Sequence, residues 1–177
     1  MNAYIPPQGR SLSADHRHGD TMIFGCMELA DRSGHEAGQV LLRALWEQHI
    51  GGNLPEIVVT DRGKPYFVDS GWHFSISHTK RRVFCVLSRQ NVGIDAEEAD
   101  RNINLALAQK ILSPGEKAQF DAAKDKRAAL LRFWVLKEAA AKLSGEGLKG
   151  YPKQTDFSLE DPRVLETDGC FVAILKE

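Results

Sequence analysis

Two short segments decide most of what this chain can become. Val92-Gly93-Ile94-Asp95-Ala96-Glu97 is an apolar run that leads into two carboxylates two positions apart. In a strand, side chains two apart share a face, so Asp95 and Glu97 are expected to point the same way. Farther along, Trp134-Val135-Leu136-Lys137-Glu138-Ala139-Ala140-Ala141-Lys142 lies in an uninterrupted helical stretch. There Glu138 and Lys142 are four apart, one turn along the same face. Three carboxylates from two elements, with a lysine beside one of them, suit a hard oxygen-liganded cation and a phosphate ester.

The rest of the chain supplies a mixed set of elements. Residues 1–20 are polar and turn-rich and read as a flexible arm, with His16 and His18 a solvated pair in it. Thr21 to Leu29 is a strand. Glu36 to His49 repeats apolar residues at helical spacing and stops at Gly51-Gly52. Glu56 to Thr60 is a short strand, and Asp61-Arg62-Gly63-Lys64-Pro65 a turn. Trp72 to Ser77, Val83 to Leu87 and Val92 to Glu97 are further strands. Helices follow at Leu105 to Leu112, Pro114 to Ala123, and Lys126 to Leu143, the last ending at Gly145. The tail returns to about three strands, of which Val164 to Thr167 and Cys170 to Leu175 flank Asp168-Gly169, a type I′ hairpin signal. The order is strand, helix and three strands over residues 21–88, then strand, helices and strands over residues 92–175. This predicts an α+β fold of two halves, 21–90 and 91–177, with a ligand cleft between them.

Bulk properties narrow the function. A chain of 177 residues fits one domain or two small lobes. A formal net charge of −1 gives no overall field for nucleic acid or a membrane, so neither is an expected partner. No apolar run approaches the ~20 residues that span a bilayer, and no export signature opens the chain. Cys26, Cys85 and Cys170 are far apart, which predicts reduced, buried thiols in a cytoplasmic protein. There is no Walker loop, no G-x-G-x-x-G and no kinase signature.

Four motifs, in order, resemble one family. Gly63-Lys64-Pro65, Phe74-Ser75-Ile76-Ser77-His78, Val92 to Glu97, and Phe133 through Lys142 together resemble the Sfp-type 4′-phosphopantetheinyl transferases, over roughly residues 21–160. The resemblance implies transfer of the phosphopantetheine arm of coenzyme A to a serine of an apo acyl or peptidyl carrier protein. It also implies a pseudo-twofold fold with coenzyme A in the central cleft, and a required Mg²⁺. A single chain with two such halves suffices, so a monomer is expected. The runner-up is a non-catalytic coenzyme A-binding accessory protein of the same fold.

Carried onto this sequence, the resemblance makes Asp95, Glu97 and Glu138 the metal ligands. Lys142 becomes a contact to phosphate or to the attacking oxygen. Ser77 and His78 would contact coenzyme A phosphates, Lys64 the adenine or phosphate side, and Arg32 the 3′-phosphate, with Arg43 a weaker candidate. Glu116 has two readings that stay open. Ser113-Pro114-Gly115-Glu116 is a near-ideal helix start, which makes it a cap, while the family places a candidate general base there. Lys137 is read as a packing or salt-bridge residue, Lys80, Arg81 and Arg82 as a solvated hairpin tip, and Phe133 and Trp134 as core aromatics.

Overall fold

A computed structural model describes residues 21–147 and 155–177, so the predicted arm at 1–20 lies outside the described residues. The chain divides into two compact units, one running to Val92 and joined by Glu177, the other Gly93–Lys176.

The first unit is built on an antiparallel sheet. Its order is β1 (Met22–Glu28), β5 (Arg82–Ser88), β4 (His73–His78). Helix α1 (Gly34–His49) lies on one face and buries Ala37, Leu41 and Leu45 together with Gly38, Leu42 and Trp46, two rows at four-residue spacing. The close fit needs glycine at two points. A methyl group on Gly25 would stand 2.8 Å from Leu45, and one on Gly38 would stand 3.0 Å from Ile76. The helix starts two residues earlier than Glu36 because Ser33 and Glu36 form a capping box. The Ser33 hydroxyl accepts from Glu36 N at 3.2 Å, and Ser33 N donates to the Glu36 carboxylate at 3.0 Å.

A short hairpin, β2 (Ile57–Val59) and β3 (Pro65–Phe67), closes this core. The predicted turn therefore ends at Lys64, and Pro65 opens a strand, one of the few strand positions that tolerates a missing donor. Gly63 takes φ 87° in that turn. The first unit thus holds four strands after its helix rather than three. Its aromatic centre is Trp46 edge-on to Phe67 at 5.3 Å and to Trp72 at 6.4 Å.

The second unit carries a three-stranded sheet ordered β6 (Val92–Glu98), β8 (Cys170–Lys176), β7 (Val164–Thr167). β7 and β8 pair antiparallel from Val164↔Ala173 to Thr167↔Cys170. Asp168 and Gly169 take φ 53° and 73°, the double positive φ that a type I′ turn demands. The predicted third tail strand has no counterpart among the described residues, so the two units differ in strand count. The predicted helix at 105–112 is broken. Leu105–Leu107 form a 3₁₀ turn, helix α2 is only Ala108–Ile111, and Leu112 is extended ahead of the Ser113-Pro114 start of the next helix. Helix α3 (Pro114–Ala122) follows, then α4 (Lys126–Ser144). α4 begins on an Asp125 cap and ends at Gly145 in the left-handed region, φ 72°. Leu130, Leu131, Phe133, Val135, Leu136 and Ala139 are all fully buried, which makes α4 the central helix of this unit.

All three cysteines are thiols. Cys85 and Cys170 are buried, and burial pushes the Cys85 thiol pKa up, whereas Cys26 is only partly buried. No helix among the described residues is long and apolar enough to cross a membrane.

Candidate active site

The acidic cluster exists because β6 runs directly against the backbone of α4. A Cβ on Gly93 would lie 2.2 Å from the carbonyl oxygen of Ala139 and 2.5 Å from Leu143 N. No side chain fits there, so glycine sets the strand-to-helix spacing. By the two-residue period of a strand, Gly93, Asp95 and Glu97 share one face. By helical spacing, Trp134, Glu138 and Lys142 form one stripe. The contacts join the two rows. Lys142 Nζ donates to Asp95 Oδ1 at 2.7 Å, and Trp134 Nε1 donates to Glu97 Oε1 at 3.1 Å. Arg101 also donates to Glu97 Oε1. Trp134 is therefore more than a core aromatic, since its indole N–H orients one of the carboxylates. Arg101 is an addition that the motifs did not mark.

The electrostatics follow from crowding acids in a half-buried place. Burial, reinforced by the Asp95 and Glu97 charges, raises the Glu138 pKa to about 7, against the opposing pull of Lys142 and Arg101. Glu97 is raised as well, first by burial and then by Asp95, with Arg101, Trp134 and Lys142 opposing. Three carboxylates face two cations here, which leaves surplus negative charge in a site of reduced dielectric.

The donor chemistry of this cluster fits a hard divalent cation, since every candidate ligand is a carboxylate oxygen and a cation would offset the burial and the repulsion that lift Glu97 and Glu138. The cage is not ready-made. Among the described residues no three His, Cys, Asp or Glu side chains stand grouped for metal binding. Asp95 is held by Lys142, and Glu97 by Arg101 and Trp134.

Glu116 is placed differently. It is fully buried, and the Ser113–Glu116 capping box is formed. One oxygen accepts from Ser113 N at 2.9 Å and pairs with Lys137 Nζ at 2.8 Å, while the other accepts from Phe157 N at 3.0 Å. The structure thus displays the cap. A hydroxyl seeking this carboxylate as a base would have to displace one of those partners. Lys137, only 1% exposed, also donates to Thr155 O, as its salt-bridge reading expects.

In the first unit, His78 ends β4 exposed, with its ring packed over the N-terminus of α1. A Cβ on Gly34 would fall 2.5 Å from that ring. Arg32 is exposed two residues before the helix and donates its backbone N–H to Leu29 O at 3.1 Å. A helix N-terminus beside a histidine is chemically suited to an anion. Ser77 is buried on the same strand. Lys64 Nζ donates to Asn91 Oδ1 at 2.7 Å, and partial burial lowers its pKa against the pull of Glu177. Lys80 and Arg81 are exposed in the β4–β5 tip, where Thr79 accepts from the backbone of Arg81 and Arg82. Arg43 lines a separate groove of about 590 Å³ with Gln39, Trp46, Glu47 and Leu54.

Comparison with known proteins accords with this geometry. The family model of the 4′-phosphopantetheinyl transferase superfamily matches residues 91–171. The chain is 32% identical over 117 residues to the 4′-phosphopantetheinyl transferase gsp of Aneurinibacillus migulanus, covering 63% of this chain and 48% of that protein. It is 33% identical over 117 residues to the 4′-phosphopantetheinyl transferase Sfp of Bacillus subtilis, covering 63% and 51%. A putative 4′-phosphopantetheinyl transferase of Haemophilus influenzae is 35% identical over 100 residues, covering 54% and 43%. The chain spans about half the length of these relatives. The matched segment contains β6 and α4, which carry the acidic cluster, so this part of the chain is the part similar to the 4′-phosphopantetheinyl transferase superfamily.

Proposed function

We propose that this chain transfers the 4′-phosphopantetheine arm of coenzyme A to a serine of an apo carrier protein, with Mg²⁺ as the metal. The observation that carries the reading is the facing of two rows, Asp95 and Glu97 on β6 against Trp134, Glu138 and Lys142 on α4. The carrier serine oxygen forms a bond to the phosphorus that bears the arm. The bond from that phosphorus to adenosine 3′,5′-bisphosphate breaks, and the proton of the serine passes to a base. Asp95, Glu97 and Glu138 would hold Mg²⁺, which supplies neutralising charge to the diphosphate when bound. Lys142 would add a second positive charge on the same face and is the proposed contact of a phosphoryl oxygen. Trp134 and Arg101 fix the orientation of Glu97. Glu116, the family's candidate base, would have to exchange one of its present partners to take that proton. In the first unit Arg32, Lys64, Ser77 and His78 are the proposed contacts of coenzyme A.

The test is direct. The purified chain is incubated with coenzyme A, Mg²⁺ and a panel of apo acyl and peptidyl carriers, and the carriers are weighed. A gain of one phosphopantetheine mass is expected, lost on chelation. Calorimetric binding of coenzyme A with no mass gain on any carrier would instead support the accessory-protein reading.

A further inference from the structure

Asp95 is buried to 6% exposure in the interior of a strand, beside two other acids, and its Oδ1 is met at 2.7 Å by Lys142. A carboxylate in such a place needs a counter-charge, because the desolvation cost of a lone buried anion is large. The Lys142 side chain is 33% exposed while that of Asp95 is 9% exposed, so the ammonium reaches inward from the wet side. A lysine is a point charge on a four-carbon stem and can swing without moving the backbone. A divalent cation at Asp95 would bring a second positive charge within a few ångströms of that ammonium. From the geometry we infer that Lys142 is the resident counter-ion of Asp95 and competes with the divalent cation for it, so that metal binding drives the lysine off the carboxylate.

This rests on the metal reading above and adds a cost to it. The protein holds Asp95 paired until the metal arrives, and the metal's arrival releases the ammonium on the face of α4 that also carries Glu138. The arrangement explains why the three carboxylates do not stand grouped as a ready cage.

Two measurements test it. Mn²⁺ binding to the full chain is titrated by electron paramagnetic resonance for the wild type, Lys142→Met and Lys142→Arg. Removing the competing charge should tighten Mn²⁺ binding about tenfold in the methionine variant, while arginine keeps the wild-type value. Methionine binding equal to or weaker than the wild type overturns the inference and leaves the metal reading standing. No Mn²⁺ binding by any of the three chains overturns both. In the second measurement, which needs no variant, the Lys142 Nζ resonance of ¹⁵N-lysine-labelled wild type is followed through a Mg²⁺ titration. It should move along the binding curve, and a signal unmoved at saturation contradicts the displacement.

Discussion

Lys137 and Lys142 stand five residues apart on α4, and each holds a carboxylate from another element at nearly the same distance, 2.8 Å to Glu116 and 2.7 Å to Asp95. Their surroundings differ. The side chains of the first pair are 2% and 0% exposed, and backbone groups of Ser113, Thr155 and Phe157 bond to them. Those of the second are 33% and 9% exposed and share their space with Glu97 and Glu138. Identical chemistry therefore serves two purposes. The sealed pair ties the start of α3 and the 155–157 segment to α4. The half-open pair leaves a charge exchangeable with solvent ions. Burial and the number of competing acids, rather than residue type, separate the two.

The largest expected difference between the pairs is in turnover. Asp95→Ala or Glu138→Ala should reduce carrier modification by on the order of 10³-fold or more, with thermal unfolding changed little, as read by carrier mass and circular dichroism. Near-normal turnover in either variant would refute the metal assignment.

Stability should show the opposite ranking. Lys137→Met strands a buried carboxylate and should cost about 3–5 kcal/mol in a denaturant titration. Lys142→Met should cost less, about 1–2 kcal/mol, because its ammonium is one-third exposed and water can partly take its place beside the buried Asp95. Equal losses would mean that burial does not distinguish the two.

Gly93→Ala sharpens the comparison from the strand side. The added methyl meets the α4 backbone and must push helix and strand apart. About 1–3 kcal/mol of stability should be lost, together with most of the transfer activity.

The smallest effect is one of pH. In the metal-free protein the folded Glu138 has its pKa raised from 4.5 to about 7, so folding favours the protonated form. Its stabilising contribution is complete below the ordinary glutamate value and is lost as pH rises through about 7. Glu138→Gln should therefore raise the melting temperature relative to the wild type at pH 8 and change it little at pH 4. Saturating Mg²⁺ should reverse the pH 8 difference. A difference that does not change with pH would refute the raised pKa.

Much of this was legible because it is local. The Asp168-Gly169 turn needs only two residues that tolerate positive φ. The shared face of Asp95 and Glu97 follows from strand period, and the divergence of Lys137 from Lys142 follows from helical angle. Other features depend on partners far off in the chain. Nothing near Trp134 says that its indole N–H will meet Glu97, and nothing near Glu116 says that it will be sealed by Lys137 and Phe157. Gly93 read as part of a motif, but its reason lies in the backbone of Ala139 and Leu143. The start of α1 is encoded in Ser33-Gly34-His35-Glu36 as a capping box, ahead of the apolar repeat that marks the body of the helix. The 105–112 segment has helical composition, yet its last turn gives way to the extended approach to Pro114.

The central claim is that Asp95, Glu97 and Glu138 close on one divalent ion. The most direct measurement is an anomalous-scattering map of crystals grown with coenzyme A and Mn²⁺. The account predicts a single peak between β6 and α4, with oxygens of Asp95 and Glu138 at about 2.0–2.2 Å, Glu97 bound directly or through a water, and Lys142 moved off Asp95. A peak elsewhere, or none while Lys142 stays on Asp95, would contradict it.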